Sequence, residues 1–313
     1  MRRSWAASAA IASCLAVTVL PCAARDASPE PPTEAAVTAV EQLDERLVDL
    51  TIESTSVGRV KVRLLLPTRF DEQPDTTWPV LYLLHGATDD HATWTEQTDV
   101  ADLTAGLDLL VVMPDAGTWG WYSDWWNAGQ GGPPAWETFH LTELRYIIER
   151  DWRASDARMV AGRSMGGFGA MYYATAHPDL FGAVASFSGA LDPVGSDFIG
   201  YDPGLWGDRD EQADIWAAHD PVAMAEALAG KSVYVSWQDG RPGPLDPSGA
   251  LPDDLEAWVA PQNETFVARL EELGIPVTTE TGHGTHAWPY SEQGLHHALP
   301  LLLEAIGVGT GRQ

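Results

Sequence analysis

The stretch Gly162-Arg163-Ser164-Met165-Gly166-Gly167 constrains this chain more than any other. It spells Gly-x-Ser-x-Gly between segments of different period. Ala157–Ala161 is the short apolar run of a buried strand, and Phe168–Ala176 is apolar at helical spacing. A strand turning sharply into a helix around a serine strains that residue's backbone and lifts its hydroxyl above the sheet edge. The flanking glycines let strand and helix pass closely. The helix start points backbone N–H groups and a positive dipole end at any negative charge that develops there. A glycine-rich turn with a passive serine has the same local pattern, so the rest of the chain must separate the two readings.

The surrounding pattern is that of a layered α/β domain. Val48, Leu50 and Ile52, then Val60, Val62, Leu64 and Leu66, alternate with mostly polar residues as two half-buried strands joined through Ser56-Val57-Gly58. Val80-Leu81-Tyr82-Leu83-Leu84 is a continuous apolar run, which is the signature of a central strand buried on both faces. A helix around Trp94–Ala105, a strand at Leu109–Met113 and an amphipathic helix at Glu137–Arg150 precede the serine turn. Strands at Ala183–Phe187, Val233–Trp237 and Val277–Glu280 follow it, with helices at Asp253–Leu273 and from about Tyr290 to Ile306. Strands alternating with helices imply a mostly parallel central sheet covered by helices on both faces, with the first hairpin as its antiparallel edge.

A serine hydroxyl becomes a nucleophile only beside a base, and the base needs an orienting carboxylate. In an α/β-hydrolase arrangement the chain order is serine, acid, histidine, with the histidine after the last strand. That loop, Gly282–Trp288, offers His283 and His286. Order and location favour Asp239, at the end of Val233–Trp237, as the acid; Asp253, Asp254 and Glu264 lie on the following segment. The oxyanion donors fall at the amide of Met165, next to the serine, and of Ala87, after His85-Gly86.

Composition closes off other classes. With 18 basic and 45 acidic residues, the net charge of −27 opposes binding to nucleic acid or anionic membranes. Residues 1–24 read as a secretory signal peptide, with Arg2-Arg3, an uncharged run from Trp5 to Leu20, and Ala23-Ala24 for cleavage. Both cysteines, Cys14 and Cys22, lie inside it, so the mature chain is expected to have neither disulfide nor thiolate. Residues 25–46, rich in proline and acid, read as a disordered linker, and 47–313 as one domain. No metal-ligand spacing, phosphate loop or dinucleotide fingerprint is present, so no cofactor and no metal are expected.

From about Leu64 to Ile306 the chain resembles the esterase branch of the α/β-hydrolase superfamily, which includes the antigen 85 mycolyltransferases and the S-formylglutathione hydrolases. The residues that carry this are Leu84-His85-Gly86, Tyr122-Ser123-Asp124-Trp125, Trp136-Glu137-Thr138-Phe139, the serine turn, Asp220-Pro221 and Gly284-Thr285-His286-Ala287-Trp288-Pro289-Tyr290. The resemblance implies His286 as base. It moves the acid to Glu264, in Glu264-Thr265-Phe266-Val267, and leaves Asp239 as rival. Antigen 85 has an aspartate where His85 stands, an arginine near Thr88 and a longer insert before the catalytic histidine; Gly166-Gly167 is closer to the hydrolases. These departures weigh against mycolyl transfer, and export weighs against a glutathione thioester.

The expectation is therefore a secreted, monomeric serine ester hydrolase acting on a small-molecule, lipid or glycan ester. Its expected catalytic set is Ser164, Glu264 and His286, with Ala87 and Met165 at the oxyanion and Trp288 and Trp125 against the substrate. Transfer of the acyl group to a sugar or glycerol hydroxyl is the alternative. A non-catalytic binder of cell-wall glycans ranks below both.

Overall fold

The structure is a computed structural model that describes residues 35–198 and 202–308. The expected leader, residues 1–24, and the first part of the expected linker lie outside them. The element order is β1 (Ala36–Gln42), β2 (Leu47–Ser54), β3 (Gly58–Leu65), β4 (Trp78–Leu84), α1 (Thr93–Gln97), α2 (Val100–Leu103), β5 (Leu110–Pro114), α3 (Trp136–Thr138), α4 (Arg145–Asp151), β6 (Ala154–Arg163), α5 (Met165–Ala176), β7 (Ala183–Phe187), α6 (Pro203–Trp206), α7 (Ala213–Ala218), β8 (Ser232–Gln238), α8 (Asp254–Glu272), β9 (Thr278–Gly282) and α9 (Trp288–Ala305).

Among the described residues, one nine-stranded sheet runs in the order β1-β2-β3-β5-β4-β6-β7-β8-β9. The first three strands pair antiparallel, as does β3 with β5; from β5 to β9 every pairing is parallel. The period-2 rule divides the core. In β4, Val80, Tyr82 and Leu84 pack into one apolar layer with Phe168 and Tyr172 of α5, while Leu81 and Leu83 face the other with Leu295, Leu299 and Leu302 of α9. A strand without a polar face can lie only between two helical layers, which places β4 and β6 mid-sheet.

Three expectations are corrected. The linker was expected to run to residue 46, but Ala36–Gln42 forms the outermost strand, bonded to β2 from Ala36↔Glu53 to Gln42↔Val48. The helix expected over Trp94–Ala105 is two short ones, α1 and α2, with extended backbone at Thr98, whose hydroxyl bonds back to Trp94 O. The amphipathic helix Glu137–Arg150 contains a π-helical stretch at Phe139–Leu144 between α3 and α4. There His140 is buried, with one ring nitrogen on Tyr173 Oη (2.8 Å) and the other on Asp115 O (2.9 Å). The i→i+5 bonding of a π-helical turn departs from the 3.6-residue period on which the expectation of one regular helix rests.

The carboxyl ends of the parallel strands converge on one side of the sheet. Gly86-Ala87 leave β4, Ser164 leaves β6, Ser188 leaves β7, Asp239 leaves β8 and His286 follows β9. Open parallel sheets place their ligands at this edge.

Candidate active site

Ser164 holds φ 54° and ψ −120°, a region that non-glycine residues rarely occupy. Its N–H donates to Phe187 O (2.9 Å) and its C=O accepts from Phe168 N–H (3.0 Å), so the turn is bonded on both sides. The glycines around it are required by contact. A Cβ on Gly162 would lie 2.2 Å from Gly166 O, and one on Gly166 would lie 2.4 Å from Leu84 O. Only bare backbone lets the start of α5 pass this close to β4 and β6. Met165 opens α5, where first-turn amides have no intrahelical acceptor.

His286 is hydrogen-bonded through Nδ1 to Glu256 Oε2 at 2.5 Å. Glu256 is fully buried. Its Oε1 accepts from Ser188 Oγ (2.8 Å) and from Gln238 N–H (2.6 Å). With two donors on one oxygen, the other oxygen is left to accept from Nδ1–H. This sets the imidazole tautomer and leaves the Nε2 lone pair free. Nε2 is buried and has no hydrogen-bond partner among the described residues. Asp253, the N-cap of α8, accepts from Leu255 and Glu256 N–H through Oδ1 and from His286 N–H through Oδ2 (3.1 Å). One aspartate thus positions both carboxylate and imidazole.

The expected acid, Glu264, does not reach the imidazole. It lies eight residues further along α8, about 12 Å by helical rise, and is exposed. The buried stripe of α8 is Glu256, Val259, Ala260, Asn263, Phe266 and Leu270. Glu264 precedes Phe266 by two residues, which is about 200° around the helix. Asp239 and His283 form their own exposed pair at 2.7 Å, joined by Arg241. Burial pushes Asp239 upward, but the bonds from Arg241 and His283 together outweigh it and hold its pKa down to about 2.

Ser164 and His286 line one cavity of about 270 Å³ with Ala87, Thr88, Asp89, Trp119, Trp121, Arg163, Met165, Ala190, Leu255 and Trp258. Both expected oxyanion residues, Ala87 and Met165, are therefore on its wall. His85 anchors the Ala87 loop. Its Nδ1–H donates to Gly86 O (2.7 Å), its Nε2 accepts from Ala116 N–H (2.9 Å), and its own carbonyl accepts from Tyr122 Oη (2.9 Å). The two expected substrate residues lie elsewhere. Trp288 packs edge-on against Trp94 (5.0 Å) and under the Arg163 guanidinium (4.2 Å). Trp125 lines a neighbouring open depression of about 490 Å³ with Trp119, Trp136 and Asp202. Trp119 belongs to both hollows.

Among the described residues, metal-type ligand atoms gather within 4.8 Å at Asp99, Glu292 and His296. These do not line the serine cavity; Asp99 Oδ1 and His296 Nε2 already pair at 2.7 Å.

Sheet order and the strained strand-to-helix turn at Ser164 are those of the α/β-hydrolase fold. The chain belongs to the Esterase family, whose model matches residues 54–302. It is 31% identical over 277 residues to esterase Rv1288 of Mycobacterium tuberculosis, covering 78% of this chain but 56% of that protein. It is 30% identical over 282 residues to the diacylglycerol acyltransferase/mycolyltransferase Ag85A of Mycobacterium ulcerans, covering 82% and 81%. Among solved structures, an S-formylglutathione hydrolase from Agrobacterium tumefaciens superposes with TM-score 0.67 at 18% identity, over 87% of this chain and 99% of that one. MPT51 of Mycobacterium tuberculosis superposes with TM-score 0.66 at 24% identity, over 86% and 99%.

Sequence reasoning missed Glu256, Leu255 and Trp258. The signal for Glu256 was present: it falls on the apolar stripe of α8, three residues after the N-cap Asp253. That spacing is a capping-box pattern, but here the glutamate turns inward to the imidazole.

Proposed function

We propose that this chain is a serine carboxylic-ester hydrolase working through an acyl-enzyme on Ser164, with His286 as base and Glu256 as the orienting acid. The observation that carries this is the 2.5 Å Glu256–His286 bond, behind a buried, unpartnered Nε2 that shares a cavity with the strained serine. Ser164 Oγ attacks the ester carbonyl and its proton passes to Nε2. The Nδ1–H bond to Glu256 stabilises the imidazolium. The Ala87 and Met165 amides hold the oxyanion, each donor being worth about 10²–10³ in kcat. Collapse expels the alcohol, protonated from Nε2. Water, activated by the same nitrogen, then releases the acid. At about 270 Å³ the cavity falls just below the roughly 300–1,000 Å³ range of ligand sites and is walled by Trp119, Trp121 and Trp258, which suits a short or single-ring acyl group.

Acyl transfer is the second reading. It is favoured by the adjoining hollow of Trp119, Trp125, Trp136 and Asp202, which could seat an alcohol other than water. Export is part of the proposal and rests on residues 1–24; N-terminal sequencing of the exported protein tests it. No helix among the described residues is long and apolar enough to cross a membrane.

The test is hydrolysis of a p-nitrophenyl ester series by wild type and Ser164→Ala, with and without a polyol. Turnover by wild type alone supports the mechanism. New ester products with the polyol favour transfer. Wild-type turnover no greater than that of Ser164→Ala rejects both.

A further inference from the structure

Arg163 precedes the serine, and its side chain is 8% exposed. Its guanidinium makes three sets of contacts. Nη1 donates to Asp89 Oδ2 (2.9 Å), and the same oxygen accepts from Gly86 N–H (3.2 Å). Nη2 donates to the carbonyl of His286 (3.0 Å). Nε donates to Ser291 Oγ (3.3 Å) in α9, and the plane lies over Trp288. One side chain therefore ties together the loop after β4, the serine turn it belongs to, and the His286 loop. With Asp253 on the His286 N–H and Arg163 on its C=O, the base is held on both sides of its Cα.

We propose that Arg163 is a positioning residue, resting on the esterase reading above, that fixes the Ala87 amide and the His286 imidazole relative to Ser164 through its bridge to Asp89. Three physical points support it. A buried ion pair is a poor way to gain stability, since an apolar side chain of similar size often does as well. The planar fork can serve a carboxylate, a carbonyl and an indole face at once, which an ammonium cannot. Finally, a Cβ on Gly86 would lie 2.9 Å from both Arg163 Nη1 and Asp89 Oδ2, so the bridge fills the space that makes Gly86 a glycine.

The experiment compares Arg163→Met, Arg163→Lys, Gly86→Ala and Arg163→Met/Gly86→Ala for kcat, KM and Tm on p-nitrophenyl acetate, with wild type and Ser164→Ala as references. A displaced oxyanion donor acts only in the transition state. Arg163→Met is therefore expected to lose about a hundredfold in kcat with KM within about threefold. Arg163→Lys should recover less than about a tenth of that loss. Gly86→Ala alone should also lower kcat, but should cost little more once Arg163 is Met, because the guanidinium is gone and Asp89 Oδ2, no longer bonded to it, can turn away from the added methyl. Should Arg163→Met fail to fold, Arg163→Lys and Gly86→Ala carry the test. The inference is overturned if Tm falls while kcat stays within about threefold, or if the two substitutions multiply independently. Wild type no faster than Ser164→Ala removes the esterase reading and this inference with it.

Discussion

Glu256→Gln is the sharpest single perturbation of the site. The side chain is fully buried, and two donors, Ser188 Oγ–H and Gln238 N–H, converge on Oε1. In the glutamine variant the carbonyl oxygen must stay at that position, which turns the amide NH₂ toward His286 Nδ1. Two N–H groups cannot face each other at 2.5 Å, so the imidazole shifts its proton to Nε2. That nitrogen then has no lone pair for the serine proton. A tautomer trap of this kind in a serine–histidine–aspartate site costs about 10⁴ in kcat, so we expect a loss of ~10³–10⁴, or about 4–5.5 kcal/mol of barrier. Glu264→Gln, on the exposed side of α8, should change kcat less than about twofold. The assay is p-nitrophenyl butyrate hydrolysis, with Tm measured in parallel to confirm folding. More than about a tenth of wild-type kcat in Glu256→Gln, or a hundredfold loss in Glu264→Gln, refutes the reasoning.

Three further outcomes follow from the structure. Burial raises the Asp220 carboxyl to about 6, above the 3.8 of the unfolded chain, so the native state holds its proton more tightly and stability falls as pH rises through that window. Asp220→Asn keeps the acceptor for Val222 N–H and should stabilise by roughly 1–3 kcal/mol near neutral pH and by little near pH 4, read by thermal unfolding. Burial lowers His140 to about 4; the unfolded chain takes up a proton near 6.5 and the native chain does not, so stability falls on acidification from about 6.5 to 4 by up to ~3 kcal/mol. His140→Gln should flatten that slope in denaturant titrations across the same range. Trp258→Ala removes a wall of the cavity and should raise the octanoate-to-butyrate ratio of kcat/KM about tenfold, a ratio that stays fixed if the acyl chain binds elsewhere.

Much of the fold was legible because burial writes itself into period. Val80–Leu84 could lie only between two layers, and the alternation of Val48–Ile52 and Val60–Leu66 required a half-covered hairpin. Strand β1 was hidden because an edge strand with one neighbour needs little apolar content, and most of Ala36–Gln42 is exposed. The serine turn, and the return of His286 to the same cavity, were legible from order along the chain. The carboxylate that bonds His286 was not, because loop order leaves several carboxylates open and local similarity selected a glutamate eight residues further along α8. The helical stripe of Glu256, Val259, Asn263 and Phe266 held the missing information, since a carboxylate placed among core residues needs a buried partner. Trp288 lies two residues past His286, yet Arg163 covers its face. Neither sequence distance nor residue type reveals that contact.

The central claim is that Ser164 becomes acylated. The most direct test is acid-quenched mass spectrometry of the protein after brief exposure to p-nitrophenyl acetate, followed by peptide mapping. The account predicts one acetyl group per chain on the peptide containing Ser164, absent from Ser164→Ala and decaying with time in wild type. Acetylation of another residue, with Ser164→Ala turning over ester as fast as wild type, contradicts it.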